Sequence, residues 1–420
     1  MKYEPLNLGR WILWSATALL FVAAPHIFQG GFALTMLTQM GTLIIFALSY
    51  NMLLGQGGML SFGHAVYSGL GAYATVHALN FIGKGQIYIP VPLLPLVGGL
   101  AGLAFGVLFG YVTTRRAGTT FALISLGIGE MVFACVLMFP GFFGGEAGIS
   151  TNRVVGTPFL GLTFGPAIQV YYLVALWCFL GMAAMFALTQ TPLGRMANAV
   201  RDNPERAEFV GYSTQHVRFL QLVLASFFAG ASGALSCINF EIVSAENVSP
   251  IRSGGVLLAT FIGGMPFFFG PVIGAIVFIF FVVALSGFTK AWLLYLGLFF
   301  VLMVVYAPGG IAALILMQLQ VIRAGRWREL APAYALALLA ALLALAGVIG
   351  LVEMVYRLSE QGASTVLQVF GLSFDARSAP PWFVFTAVLA AGLAALRVTA
   401  RQADERWGAI QLELQAKAAA

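Results

Sequence analysis

Runs of about twenty apolar residues, each closed by a short polar or charged stretch, recur along the whole chain, and twenty residues of α-helix is the length that crosses a bilayer. They predict spans near Trp11–Phe28, Phe32–Leu54, Ser61–Asn80, Pro90–Thr113, Ala117–Phe139 and Ala167–Leu188. Further spans follow at Gln215–Phe240, a shorter stretch at Gly254–Gly264, then Pro271–Phe288, Ala291–Tyr306, Ala331–Val352 and Pro381–Leu396. Lipid offers backbone groups no partner, so a spanning chain is either a helix bundle or a closed barrel. A barrel would read as alternating segments of about ten residues, which these are not. The expected fold is therefore all-α and integral to the membrane: a polytopic bundle of about 10–12 transmembrane helices.

Composition agrees with the pattern. The 420 residues are 60% hydrophobic and 9% charged, with a mean hydropathy of +0.94, values that exclude a water-soluble globular domain. Cys135, Cys178 and Cys237 lie in apolar stretches without paired spacing, so neither a disulfide framework nor a zinc site is indicated. The net charge of +6 is spread among loops and is not a nucleic-acid surface. Its distribution orients the chain, because Lys and Arg collect on the cytoplasmic side. With the N-terminus inside, 15 of the 21 basic residues fall inside, from Lys2 and Arg10 to Arg397 and Lys417. Lys84, Arg153, Arg252, Lys290, Arg357 and Arg377 are left for the outer side or an unassigned depth. Both termini are then cytoplasmic, in a bacterial inner membrane. The first span imitates a cleavable signal peptide, but further spans follow it at once, which favours an uncleaved helix.

One charged island interrupts the apolar chain, Thr191–Gly211. Thr191 and Asn203 each precede a proline, the arrangement of an N-cap followed by N1, and Gly211 suits the residue that closes a helix. Two small helices at a water-facing surface follow, a shape suited to docking on a soluble partner. An idle solvated loop is the alternative.

Two glycine-rich stretches, Gly55–His64 and Gly263–Pro271, share Gly-Gly-Met and a later Phe-Gly, which suggests discontinuous helices and a weak internal repeat. Close helix packing accounts for the same glycines equally well. Gly57, Gly58, Ser61, Gly63, His64, Gly263 and Gly264 are the pathway candidates of these stretches. Glu130 lies in the middle of a predicted span, where a carboxylate is costly without a cavity or a partner. It reads equally as a functional acid and as a structural acceptor. No Walker lysine motif, nucleotide loop, His-Glu metal helix or nucleophile elbow is present, so no catalysis is expected of this chain. Beyond Arg328 the chain adds two spans and a tail, residues 329–420; the tail reads as a solvated segment or an amphipathic helix.

Four stretches together resemble the permease subunits of ATP-binding-cassette importers for branched-chain amino acids, of the Liv type. They are Ala47–His64 with Gly69–Tyr73, Phe121–Met131, Thr191–Gly211, and Ile262–Gly264 with Gly270–Ala275. The resemblance implies a permease domain over 1–328, with a cytoplasmic coupling loop at 191–214 formed by Arg201, Asp202, Asn203, Glu205, Ala207, Glu208 and Gly211. Pro204 and Arg206 depart from the usual pattern, as do Glu146 and Ala147 after the outer Gly144-Gly145. It further implies a homologous second, LivH-like permease, two ABC ATPase subunits that carry ATP and Mg, and a periplasmic substrate-binding protein. The chain itself would hold no cofactor or metal. The cargo would be a branched-chain amino acid or a related small polar solute such as urea, an amide or a carboxylate. The alternative is an ion-coupled secondary transporter using Glu130.

Overall fold

The computed structural model describes residues 8–156, 158–359, 366–369 and 372–419. In chain order its helices are α1 (Leu8–Ile27), α2 (Gly31–Asn51), α3 (Ala65–Gly83), α4 (Leu94–Thr113), α5 (Gly118–Met138) and the single turn α6 (Pro140–Phe143). Next come α7 (Ala167–Gln190), α8 (Pro192–Asp202), α9 (Pro204–Phe209), α10 (Thr214–Phe240), α11 (Pro250–Gly263) and α12 (Gly270–Ile279). The last are α13 (Trp292–Tyr306), α14 (Gly310–Arg323), α15 (Trp327–Ser359) and α16 (Ala379–Ala419). α2 and α12 each run on into a π-helical turn, Met52–Gln56 and Phe280–Ala284.

Among the described residues, eight helical segments are long and apolar enough to cross a membrane. The bent pair α13 and α14, angled by 50°, makes a ninth if it counts as one span. The chain is an all-α, multi-pass membrane protein. α11 is too short to qualify, and α3 is too polar: Ser68, Thr75, His77 and Asn80 lower its hydropathy. α3 tolerates them because it faces protein and not lipid; Ser68 and Thr75 are fully buried.

The chain divides into two compact units, one of residues 1–287 and 296–313, the other of 288–295 and 314–420. In the first unit α10 is the central post, with 89% of its apolar window buried. Helices in lipid gain nothing from hydrophobic burial against each other, so close backbone approach holds them. α4 presents Gly98, Gly102, Gly106 and Gly110, four residues apart on one face, to Ala234, Gly230, Ser226 and Leu222 of α10. A Cβ at Gly106 would lie 2.6 Å from that of Ser226. Phe46, Leu48, Tyr50, Tyr73, Leu79 and Leu235 fill the core around this contact.

At one end of this unit β1 (Ile149–Ser150) pairs antiparallel with β2 (Ile242–Val243). Arg153 fastens the loop there: it donates to Phe164 O at 2.8 Å, Gly165 O at 3.0 Å and Asn239 O at 3.2 Å. Its own backbone N–H reaches Glu241 Oε1 at 2.8 Å.

The second unit is built on α15 against α16, with Gly347 and Gly392 allowing the backbones together and a hairpin of β3 (Val366–Val369) and β4 (Leu372–Asp375) between them. Glu353 on α15 accepts from Thr289 at 2.6 Å and Tyr295 at 3.2 Å. The tail is not idle. α16 continues unbroken through the charges at Arg397–Arg406, and Ile410 is buried with Val321 and Leu330 beside Tyr334 and Trp407.

Candidate functional site

The charged island folds as two capped helices. Thr191 Oγ1 accepts from Gly194 N at 3.3 Å and donates to Leu188 O at 2.6 Å, so one hydroxyl both ends α7 and starts α8. Asn203 Oδ1 accepts from Arg206 N at 2.9 Å and starts α9. Gly211, at φ +93°, turns the chain toward α10, whose N-cap Ser213 accepts from His216 N at 3.3 Å. α8 is amphipathic: Ala197 and Val200 pack with Ala207 and Val217, tying α8, α9 and α10 into one small cluster.

The residues of this element divide by direction. Ala207 is buried, and Glu208 accepts from Thr214 Oγ1 at 2.8 Å, which ties α9 to the start of α10. Asp202 and Glu205 are exposed beside Phe209 and Val210, which are 91% and 70% exposed. Arg201 reaches the other way. Its Nη1 donates to Gly55 O in the π turn at the end of α2, while Nε and Nη2 hold Asp202 Oδ1 at 2.9 and 2.8 Å.

That π turn explains why Arg201 has somewhere to go. A π turn displaces carbonyls from the regular ladder, and displaced buried carbonyls need donors. Arg201 serves Gly55 O; Gln221, from α10, serves Met52 O at 2.8 Å and Gln56 Oε1 at 3.3 Å. Gly57 N closes the turn on Leu53 O at 3.1 Å. Gly58, at φ +63°, then reverses the chain against Arg201; a Cβ there would lie 2.8 Å from Arg201 Cγ.

From Gly58 the chain passes through Ser61 and Gly63 to His64, all three buried and held by serines of other helices. Phe62 N donates to Ser125 Oγ of α5 at 3.0 Å, and Ala65 N to Ser253 Oγ of α11 at 2.9 Å. Gly63 lies against the backbone of Ser125. His64 is fully buried, stacked on Phe46 with ring centroids 5.4 Å apart. Ser49 Oγ gives its proton to Phe46 O at 2.7 Å and so accepts from His64 Nε2, 3.0 Å away.

The second glycine stretch meets the first: a Cβ at Gly55 would lie 2.6 Å from Met265 O. It is closed differently, by backbone on backbone. Gly263 lies against Gly270 and Gly274, and Gly264, at φ +115°, against Gly309 and Gly310. Glu130 stands apart from all of this. It is on the exposed face of α5 with Leu123, Gly127 and Met131, and makes no hydrogen bond or ion pair among the described residues. Among those residues no group of His, Cys, Asp or Glu is placed to hold a metal ion.

Sequence reasoning missed Gln221, Ser125 and Ser253. Gln221 had a signal, since it is a lone amide in the apolar run Phe219–Leu224. The serines had none, because a hydroxyl in a span is as often bonded to its own helix.

A family profile described as "Branched-chain amino acid transport system / permease component" matches residues 32–307, which include both glycine turns and the capped helix pair. The high-affinity branched-chain amino acid transport system permease protein LivM of Escherichia coli K12 is 28% identical over 298 residues, covering 66% of this chain and 69% of that protein. LivM of Salmonella typhimurium LT2 is 26% identical over 326 residues, covering 73% and 75%. No solved structure matches. The chain therefore belongs to the family of permease components of branched-chain amino acid transport systems, and it is a translocation subunit of an ATP-binding-cassette importer, not an enzyme.

Proposed function

We propose that this permease imports branched-chain amino acids, or a related small polar solute, across a bacterial inner membrane from periplasm to cytoplasm. Its partners are a homologous LivH-like permease, two ABC ATPases that bind ATP and Mg, and a periplasmic substrate-binding protein. Residues 1–328 form the permease domain, with both termini and α8–α9 on the cytoplasmic side; residues 329–420 are an appendage to it. The exposed patch of Asp202, Glu205, Arg206, Phe209 and Val210 docks on an ATPase: apolar at its centre, charged at its rim.

The observation that carries this reading is the bond from Arg201 to Gly55. It joins the docking element to the turn at the base of α2, so a push on α8–α9 is delivered to the pathway and not absorbed by a slack loop. Asn203, Glu208, Ala207 and Gly211 make the element stiff enough to transmit that push. Gly57, Gly58, Ser61, Gly63 and His64 form the segment that yields, and Gly263 and Gly264 belong to the stretch that Gly55 meets at Met265. Co-expression with the neighbouring ATPases and reconstitution with the binding protein is the test: ATP-dependent leucine uptake supports the reading. Uptake without ATPases, or no uptake of leucine, urea, an amide or a carboxylate with them, contradicts it.

A further inference from the structure

Arg252, on the first turn of α11, is a partly buried cation with no acid paired to it among the described residues. Its guanidinium carbon stands 6.0 Å from the centroid of the Phe46 ring, and its Nη2 donates to Ser236 Oγ at 3.4 Å. Among the described residues no carboxylate lies within ion-pair distance of it, and Glu246 acts on it only from farther away. A guanidinium has five donors; one long bond to a serine and a ring face leave most of them without a protein partner among the described residues.

Two further features converge there. The bond from Ala65 N to Ser253 Oγ sets the start of α3 against the start of α11, so two helix N-termini, each with positive partial charge, abut beside Arg252. His64, immediately before α3, shares the Phe46 ring with Arg252. Since its Nε2 carries the proton toward Ser49, its Nδ1 is a lone-pair acceptor, and that atom is buried without a partner. An anion-binding cation and an unfilled acceptor on one aromatic ring match the two ends of a zwitterion.

We propose that Arg252 and His64 form the amino-acid subsite of the pathway: Arg252, with the two N-termini, takes the α-carboxylate, and His64 Nδ1 accepts from the α-ammonium. The assignment rests on the importer reading above and narrows its cargo from small polar solutes to α-amino acids.

The experiment uses the whole importer in proteoliposomes with saturating leucine-loaded binding protein. Arg252→Gln is expected to lower leucine uptake at least tenfold while subunit assembly is retained. Arg252→Lys, which keeps the charge and loses the fork, should lower it two- to fivefold. Arg252→Gln at the unmutated rate overturns the subsite and leaves the importer reading intact. No uptake of leucine, urea, an amide or a carboxylate by the unmutated importer overturns the importer reading itself. Should Arg252→Gln fail to assemble, Arg252→Lys decides: undiminished uptake overturns the subsite.

Discussion

Gly55–Met59 and Gly263–Gly270 share the same Gly-Gly-Met core, lie against each other, and are held by different means. The second turn is backbone packed on backbone, with Gly263 against Gly270, Gly274 and Gly310. The first is held by side chains that come from elsewhere: Arg201 on Gly55 O, Gln221 on Met52 O and Ser125 on Phe62 N. Backbone packing has essentially one arrangement. Long side chains can let go and rebind, so in the proposed coupling the first turn moves and the second is its fixed abutment.

Substitutions separate the two. The largest effect belongs to the abutment. Gly263→Val would drive a side chain into the Gly270 carbonyl, and a loss of about 3 kcal/mol is expected, read as collapse of folded yield and of thermal stability in detergent. If the first turn is instead held by side chains, Gln221→Leu should cost less, about 2 kcal/mol for the buried Met52 carbonyl left unpaired, with the protein still assembling. Gly58→Ala should cost about 1 kcal/mol, the strain of a left-handed backbone, and should also press on Arg201 and slow uptake severalfold. Smallest is Asn203→Ala, about 1 kcal/mol or less from an exposed cap, visible as earlier proteolysis at α8–α9. Equal tolerance of Gly263→Val and Gly58→Ala would erase the contrast.

The capped island was legible in full because its signals are local: a cap residue, a proline, a closing glycine. What its residues face was not, since Thr214 as the partner of Glu208, and Gly55 as the target of Arg201, depend on a neighbour set by the tertiary fold. The same limit applies to Glu130, whose place at mid-span was readable but whose outward direction was not. Within α16 the charges at Arg397–Arg406 looked like the end of a span, yet no proline follows Pro381 and the helix simply continues. Arg252 was visible as a basic residue without a side of the membrane. That no acid among the described residues pairs with it emerged only once α2, α10 and α11 were packed together.

The central claim is that Arg201 carries force from the docking helices to the first glycine turn. Reconstituted importer with Arg201→Gln, assayed for ATP hydrolysis and leucine uptake in the same vesicles, tests it most directly. The account predicts retained assembly and hydrolysis with uptake at least tenfold lower; the same ratio of leucine moved to ATP hydrolysed as in the unmutated importer would contradict it.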